Sequence, residues 1–158
     1  MMYQPKPPFL ERMQKLLPNK EDYSNYLKSL KTPPKISIRC NTLKISSNEL
    51  KQRLEQKGWK LTQPFNNHPE IFIIENSLQP GELGKTLEHQ LGYYYVQETA
   101  SMLPPITLNP KSNELVLDLC SSPGSKTTQI ASLMKNTGTI IANDKNLDRI
   151  QILAANLD

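Results

Sequence analysis

The stretch "DLCSSPGSKTT" at 118–128 holds the residues of this chain whose types and spacing could bind a ligand. It joins an apolar run, "ELVLDLC", to a run with helical spacing. Gly124 has no Cβ and lets a ligand approach the backbone closely, while Pro123 limits the freedom of the loop before binding. Backbone N–H groups from Ser125 to Thr127, at the start of the following helix, favour an anionic group. The pattern predicts a ligand site where a strand ends and a helix begins.

Three kinds of nucleotide loop compete for "SSPGSKT". A Walker A phosphate loop needs adjacent Gly and Lys with another Gly five positions earlier, but Ser125 separates Gly124 from Lys126. A dinucleotide fingerprint needs three glycines, and this loop has one. A ligand with a ribose and no phosphate, such as S-adenosylmethionine, fits the loop best. A nucleotide hydrolase is the minor alternative.

Asp144 follows Gly124 by twenty residues and ends the next strand-like run, "GTIIAND". A carboxylate at that spacing accepts hydrogen bonds from both ribose hydroxyls in related α/β sites. The alternative is that Asp144 caps the helix that begins near Asn146. The two roles are geometrically compatible.

Hydrophobic periodicity predicts the elements that must position this site. The run "ELVLDLC" indicates a strand buried on both faces, as in a parallel sheet, and Gly138 is placed to end the helix that follows the loop. Strand, loop, helix, strand and the start of another helix predict the first βαβ unit of a doubly wound α/β domain. One such unit cannot cover both faces of a sheet, so we expect the chain to be the front part of a longer protein.

The N-terminal half reads as α+β. Two short helices broken at Pro18 precede a half-buried strand in "KISIRCNTLKI"; Ser46 or Ser47 caps the next helix, and two more strands follow in "WKLTQPF" and "EIFIIEN". This order resembles an incomplete ferredoxin-like or RNA-recognition-type unit. The tyrosines of "LGYYYVQE" either pack in a core or stack on bases, and "TASMLPPITLNP" predicts a short helix followed by a Pro-led connection.

The predicted organisation has three regions. Residues 1–34 form a helical N-terminal arm, 35–98 a small α+β domain, and 99–158 the N-terminal part of a Rossmann-like α/β domain. The chain has no apolar stretch long enough for a membrane span and no signal peptide, so we expect a cytoplasmic protein without a membrane partner.

Charge is distributed unevenly along the chain. Residues 1–60 carry 13 Lys and Arg against 5 Asp and Glu, whereas residues 61–158 carry 6 against 10. The basic half is a candidate surface for a polyanion, with a solvated lysine-rich face as the alternative. Cys40 and Cys120 lie 80 positions apart, which indicates neither a disulfide framework nor a metal site, and both are expected to be small buried hydrophobes.

Three separated segments resemble one protein family. The segment "LDLCSSPGSKTTQIASLMKNTGTIIANDKNLDRI" resembles the cofactor-binding segment of the RsmB/NOP2/Sun family of RNA cytosine-5 methyltransferases. Upstream, "GYYYVQETASMLPP" is similar to that family's tyrosine-rich approach to the loop, and "IRCNTLK" to its "RVNTLK" strand. Ser121 and Ser122 replace the usual alanines, a small polar change that is expected to leave cofactor binding intact.

The resemblance implies a Rossmann-like S-adenosylmethionine-dependent methyltransferase domain preceded by an RNA-binding region. Its implied substrate is tRNA or rRNA, with tRNA favoured. The cysteine nucleophile and the assisting cysteine of the family belong to motifs beyond residue 158, so we expect no catalytic residue within this chain, and a second chain carrying the catalytic half is a further expectation. The implied cofactor-binding residues are Cys120, Ser121, Ser122, Pro123, Gly124, Ser125, Lys126 and Asp144.

Overall fold

The computed structural model describes residues 5–157 and divides them into two units, one up to Lys35 and one from Ile36 onward. The first unit contains two helices, α1 (Pro7–Leu16) and α2 (Lys20–Ser29). The side chain of Asn19 caps α2 by accepting a hydrogen bond from the backbone N–H of Glu21 at 2.8 Å. The predicted break between two short helices is confirmed.

The second unit begins with a four-stranded antiparallel sheet. Its strand order is β2-β3-β1-β4, and α3 covers one face through the buried side chains of Leu50 and Leu54. Ser46 caps α3 by accepting from the N–H of Glu49, as the sequence predicts. The elements are β1 (Ser37–Cys40), α3 (Ser47–Gln56), β2 (Leu61–Thr62), β3 (Ile71–Ile74), α4 (Glu82–Lys85), α5 (Leu87–Gln90) and β4 (Tyr94–Val96).

The expectation that β1 is only half buried is wrong, because all four of its residues are buried. Ile38 and Cys40 face the core under α3, while Ser37 and Arg39 are 3% and 2% exposed. The hydroxyl of Ser37 donates to the backbone carbonyl of Gln97 at 2.6 Å. Polar side chains lie on the second face of this strand because more of the chain packs there, which alternation alone does not reveal.

The rest of the second unit is the predicted βαβ segment. The strands β5 and β6 are parallel, with Leu115 opposite Thr139 and Asp118 opposite Ala142, so the α/β fold class is confirmed. The elements are α6 (Thr99–Leu108), β5 (Leu115–Asp118), α7 (Ser125–Leu133), β6 (Thr139–Ala142) and α8 (Leu147–Leu157).

The prediction that β5 is buried on both faces is wrong for this chain. Leu115 and Leu117 on β5 are 70% and 57% exposed, and Ile141 on β6 is 52% exposed. These side chains share one face of the sheet, because alternate residues of a strand point the same way. Within residues 5–157, α7 contacts the sheet but nothing covers this second face.

Two helix boundaries also differ from the sequence expectations. The helix α6 continues through Pro104 and Pro105 instead of ending before them. The helix α7 ends at Leu133, before Gly138, because the left-handed residues Lys135 and Asn136 already turn the chain.

Buried amide groups join the antiparallel sheet to the βαβ segment within the second unit. Gln97 donates through Nε2 to Oε1 of Gln129 at 3.2 Å, and Gln129 donates through Nε2 to the carbonyl of Met102 at 3.0 Å. The predicted boundary between 98 and 99 therefore falls inside one unit, and the division into three regions stays a prediction.

Candidate functional site

The loop predicted to bind a ligand leaves the carboxyl end of β5 and is tied to the end of β6. The backbone N–H and the hydroxyl of Ser121 both donate to the carbonyl of Asn143, at 2.9 and 2.8 Å. The N–H of Gly124 donates to the carbonyl of Ser121 at 2.7 Å and closes a tight turn. These bonds fix the loop at the edge where the two parallel strands end.

Gly124 has a backbone conformation that favours glycine. Its φ is +111°, and a Cβ at this position would lie 3.2 Å from Cδ1 of Leu153 and 3.5 Å from Cβ of Asn156. A side chain here would therefore meet both an unfavourable backbone region and the packed surface of α8. The tight turn that brings the loop to the start of α7 depends on this glycine.

The first turn of α7 begins directly after Gly124. The N–H of Thr128 donates to the carbonyl of Gly124 at 2.9 Å, so the three preceding N–H groups have no acceptor within the helix. Ser125 starts the helix, and its carbonyl accepts a hydrogen bond from Arg39 at 2.9 Å. The ammonium of Lys126 donates to the hydroxyl of Ser101 on α6 at 3.3 Å.

Asp144 lies against the loop, as its spacing predicts. Its Oδ2 accepts from the backbone N–H of Ser122 at 3.3 Å, and its Oδ1 accepts from the N–H of Asn146 at 3.1 Å. The guanidinium of Arg149 lies 3.5 Å from Oδ2. The side chain of Asp144 is 3% exposed, whereas that of Arg149 is 49% exposed.

The alternative role for Asp144, capping the next helix, is taken by Asn146. The side-chain oxygen of Asn146 accepts from the N–H groups of Asp148 and Arg149 at 2.9 and 3.3 Å, which is the geometry of a helix cap. Asp144 instead joins the end of β6 to the loop.

Two residues at the site were not predicted from the sequence. Asp118 ends β5, and its carboxylate accepts from the hydroxyl of Thr127 at 2.8 Å and from the N–H of Cys120 at 3.3 Å. Arg149 donates to the carbonyl of Ser122 at 2.6 Å. The position of Asp118 at a strand end is a signal that could have identified it, whereas Arg149 looks like an ordinary helix surface residue.

The two cysteines differ in environment. Cys40 is buried, as expected, and burial raises the pKa of its thiol to about 11. Cys120 is exposed, so the expectation that it is a buried hydrophobe is wrong. Its backbone N–H, rather than its packing, ties it to the end of β5.

The structure therefore brings most predicted site residues together, but they differ in burial. Ser121, Ser122 and Gly124 are buried in a turn that touches Asp144, while Pro123 is exposed on the outside of that turn. No group of His, Cys, Asp or Glu side chains in the described part of the chain could hold a metal ion. Within the same residues, no helix is long and apolar enough to cross a membrane. The geometry suits an organic ligand with a hydroxyl-bearing group near a carboxylate.

Comparison with protein families gives the evolutionary relationship. A family model described as the N-terminal domain of 16S rRNA methyltransferase RsmF matches residues 6–99. A second model, 16S rRNA methyltransferase RsmB/F, matches residues 105–158. The chain belongs to the RsmF family. Members of this RsmB/F group are S-adenosylmethionine-dependent RNA methyltransferases, which confirms the family and the cofactor class inferred from the loop.

A curated RsmF relative extends well beyond this chain. Ribosomal RNA small subunit methyltransferase F of Vibrio campbellii is 42% identical over 153 residues, which cover 95% of this chain and 32% of the relative. The chain thus spans about a third of the length of the curated relatives it matches.

Solved structures share the fold. The crystal structure of PH0851 superposes with a TM-score of 0.83 at 30% identity, covering 98% of this chain and 37% of that one. A methyltransferase homologue from Pyrococcus horikoshii gives a TM-score of 0.75 at 32% identity, covering 97% of this chain and 53% of that one. The RsmF relatives are named for ribosomal RNA, so the expectation that favoured tRNA finds no support among them.

Proposed function

We propose that this chain is the cofactor-binding and RNA-contacting part of an enzyme that transfers a methyl group from S-adenosylmethionine to carbon 5 of cytosine in ribosomal RNA. The observation that carries the proposal is the hydrogen bond from the N–H of Ser122 to Asp144, which joins the loop and the second strand end in one site. Membership of the RsmF family supports the reaction class.

The residues of the loop fit the cofactor group by group. The N–H groups of Ser125, Lys126 and Thr127 open α7 and suit the carboxylate of a methionine moiety. The left-handed Gly124 allows the tight turn that places these N–H groups at the strand ends, with no side chain pressed against α8. The bound cofactor would supply the electrophilic methyl group, and these residues would only hold and orient it.

Asp144 is proposed to accept hydrogen bonds from the ribose hydroxyls. In the structure its Oδ2 already faces Arg149 at 3.5 Å, a long contact with a half-exposed side chain. For a ribose hydroxyl to reach Oδ2, Arg149 would have to move and give up both this ion pair and its 2.6 Å hydrogen bond to the carbonyl of Ser122. That movement would free Oδ2 for a hydroxyl donor while the N–H of Ser122 keeps the carboxylate in place.

Neither cysteine of this chain suits attack on carbon 6 of cytosine. Cys40 is buried and the raised pKa of its thiol keeps it protonated, whereas the attacking species is a thiolate. Cys120 is proposed to be part of the cofactor loop. The chain alone is therefore expected to bind the cofactor without transferring a methyl group. The catalytic cysteines are proposed to lie in a part of the enzyme outside these 158 residues or in a second chain.

Ribosomal RNA is the proposed substrate in preference to tRNA, because the curated relatives are named small subunit rRNA methyltransferases. A cytoplasmic location is proposed on the same ground.

A chimeric enzyme tests the proposed function. Residues 1–158 would replace the matching third of the Vibrio campbellii relative, and methylation of ribosomal RNA would be read as cytosines protected from bisulfite conversion. We expect the chimera to methylate one class of cytosine in ribosomal RNA. The same chimera with Asp144→Asn is expected to lose most of this methylation. A correctly folded chimera that binds no S-adenosylmethionine would contradict the proposal.

A second candidate function is RNA binding without catalysis, favoured by the excess of 13 basic over 5 acidic residues in 1–60. It predicts an affinity for RNA that falls steeply as the salt concentration rises, and no binding of S-adenosylmethionine. Filter binding of RNA beside cofactor titration separates the two candidates, since only the methyltransferase proposal requires both ligands.

A further inference from the structure

The two segments that resemble the family outside the cofactor loop meet at one cavity, with a volume of about 840 Å³. The segment "IRCNTLK" contributes Arg39, Asn41 and Lys44 to its lining, and the segment "GYYYVQETASMLPP" contributes Tyr95 with its neighbours. None of the predicted cofactor-binding residues is among the described residues that line it. The cofactor therefore does not account for this cavity.

The charge of the lining favours an anion. The lining contains the cations Arg39 and Lys44 and the half-buried ring of His89. No Asp or Glu is found among the described residues of the lining. Lys44 is exposed, and its ammonium lies 3.5 Å from the carbonyl of Leu91, a long contact that leaves it able to bind another group. A polar, positively charged cavity of this kind suits a nucleic acid backbone.

Arg39 and Tyr95 lie next to each other in the lining of the cavity. The guanidinium carbon of Arg39 lies 5.7 Å from the centroid of the Tyr95 ring. Burial lowers the pKa of Arg39 to about 10, so the side chain is still charged at neutral pH. Its Nε has no hydrogen-bond partner among the described residues. A nearby anion would stabilise this buried charge.

The cavity adjoins the cofactor loop. Two of its lining residues, Tyr95 and Asn156, donate hydrogen bonds to the carbonyl of Pro123, at 3.4 and 2.8 Å. A group held in the cavity would thus lie beside the loop that is proposed to bind S-adenosylmethionine.

We propose that this cavity holds an unpaired segment of the RNA substrate, with a phosphate on Lys44 and a base against the ring of Tyr95. Single-stranded RNA is recognised by aromatic rings that stack on bases and by cations that follow the backbone. This inference rests on the proposed function for the identity of its ligand. It assigns Lys44 and Tyr95 to the RNA rather than to the cofactor.

Fluorescence anisotropy with a labelled single-stranded oligoribonucleotide tests the proposal on the full chain. We expect Lys44→Gln to weaken binding at least fivefold and to lower the slope of log affinity against log salt by about 0.7, the share of one phosphate contact. Tyr95→Leu is expected to weaken binding about tenfold, while Tyr95→Phe, which keeps the ring, stays within about twofold of the unmodified chain.

Lys60→Gln is the matched control, because it removes the same charge from the basic half at a residue outside the cavity lining. The proposal is overturned if Lys44→Gln and Lys60→Gln lose the same affinity, or if the unmodified chain retains no RNA at low salt. It is also overturned if polyglutamate of equal charge competes as well as RNA, which would indicate a site for any anion or for an acidic protein segment. Circular dichroism identifies a variant that has unfolded, and Lys44→Arg then replaces Lys44→Gln with an unchanged salt slope expected.

Titration with S-adenosylmethionine keeps the two proposals separate. Binding of the cofactor together with equal effects of Lys44→Gln and Lys60→Gln would overturn the cavity assignment and leave the proposed function standing. RNA binding that depends on Lys44, in a chain that binds no cofactor, would overturn the proposed function and leave the cavity assignment standing.

Discussion

At the residue scale, the candidate site is a network of hydrogen bonds around Ser122 and Asp144. The N–H of Ser122 holds the carboxylate, and its carbonyl accepts from Arg149 at 2.6 Å. Asp118 holds the first strand end in a similar way through Thr127. Two carboxylates at neighbouring strand ends thus fix the loop from both sides, and Asp144 is the one that we propose to contact the ligand.

The different burial of the two cysteines predicts different reactivity. A thiol reagent at neutral pH is expected to modify Cys120 rapidly and Cys40 only on unfolding, because burial raises the pKa of Cys40 to about 11. The Cys120→Ala variant should lose the rapid phase, and S-adenosylmethionine should slow it in the unmodified chain. A rapid phase that the cofactor leaves unchanged would place Cys120 outside the cofactor site.

Gly124→Ala is expected to lower the free energy of unfolding by about 1–3 kcal/mol, because φ is +111° and the new Cβ lies 3.2 Å from Leu153. Gly84→Ala is the control: Gly84 lies in α4 with no atom within 4 Å of the added Cβ, and the change should be neutral or slightly stabilising. Urea unfolding measures both. Equal effects of the two substitutions would contradict the account of the turn.

At the element scale, strand-ending residues and turn residues predicted which groups lie close together better than hydrophobic runs predicted burial. The order β5, α7, β6, the cap at one of the two predicted serines, Ser46, and the proximity of Asp144 to the loop follow from local pattern. The short helices α4 and α5 were not predicted. The burial of Arg39 and the exposure of Leu117 do not, because each depends on what packs against a sheet face from elsewhere. Local sequence does not specify that packing.

Leu117→Lys should change the free energy of unfolding by less than about 0.5 kcal/mol, because Leu117 is 57% exposed on the uncovered face of β5. The neighbouring Val116→Lys places the same charge on the opposite, half-buried face and should cost more than about 2 kcal/mol. Thermal and urea unfolding of the two variants compare the faces directly. A large loss from Leu117→Lys would show that this face is covered in solution, for example by self-association.

At the scale of the whole molecule, the second unit combines a tyrosine-bearing antiparallel sheet with a βαβ segment that carries the candidate cofactor loop. Arg39 links the two by donating to Ser125 and Thr128 at the start of α7. RNA held in the cavity and cofactor held at the loop would therefore both lie beside the start of α7.

Calorimetric titration of the 158-residue chain with S-adenosylmethionine tests most directly whether the loop and Asp144 bind this cofactor. We expect one bound cofactor per chain, with affinity at least tenfold weaker in Asp144→Asn and unchanged in the control Asp148→Asn, whose side chain lies on the exposed surface of α8. Magnesium and ATP should give no heat of binding. Absence of binding by the folded chain, or equal affinity in Asp144→Asn, would contradict the account.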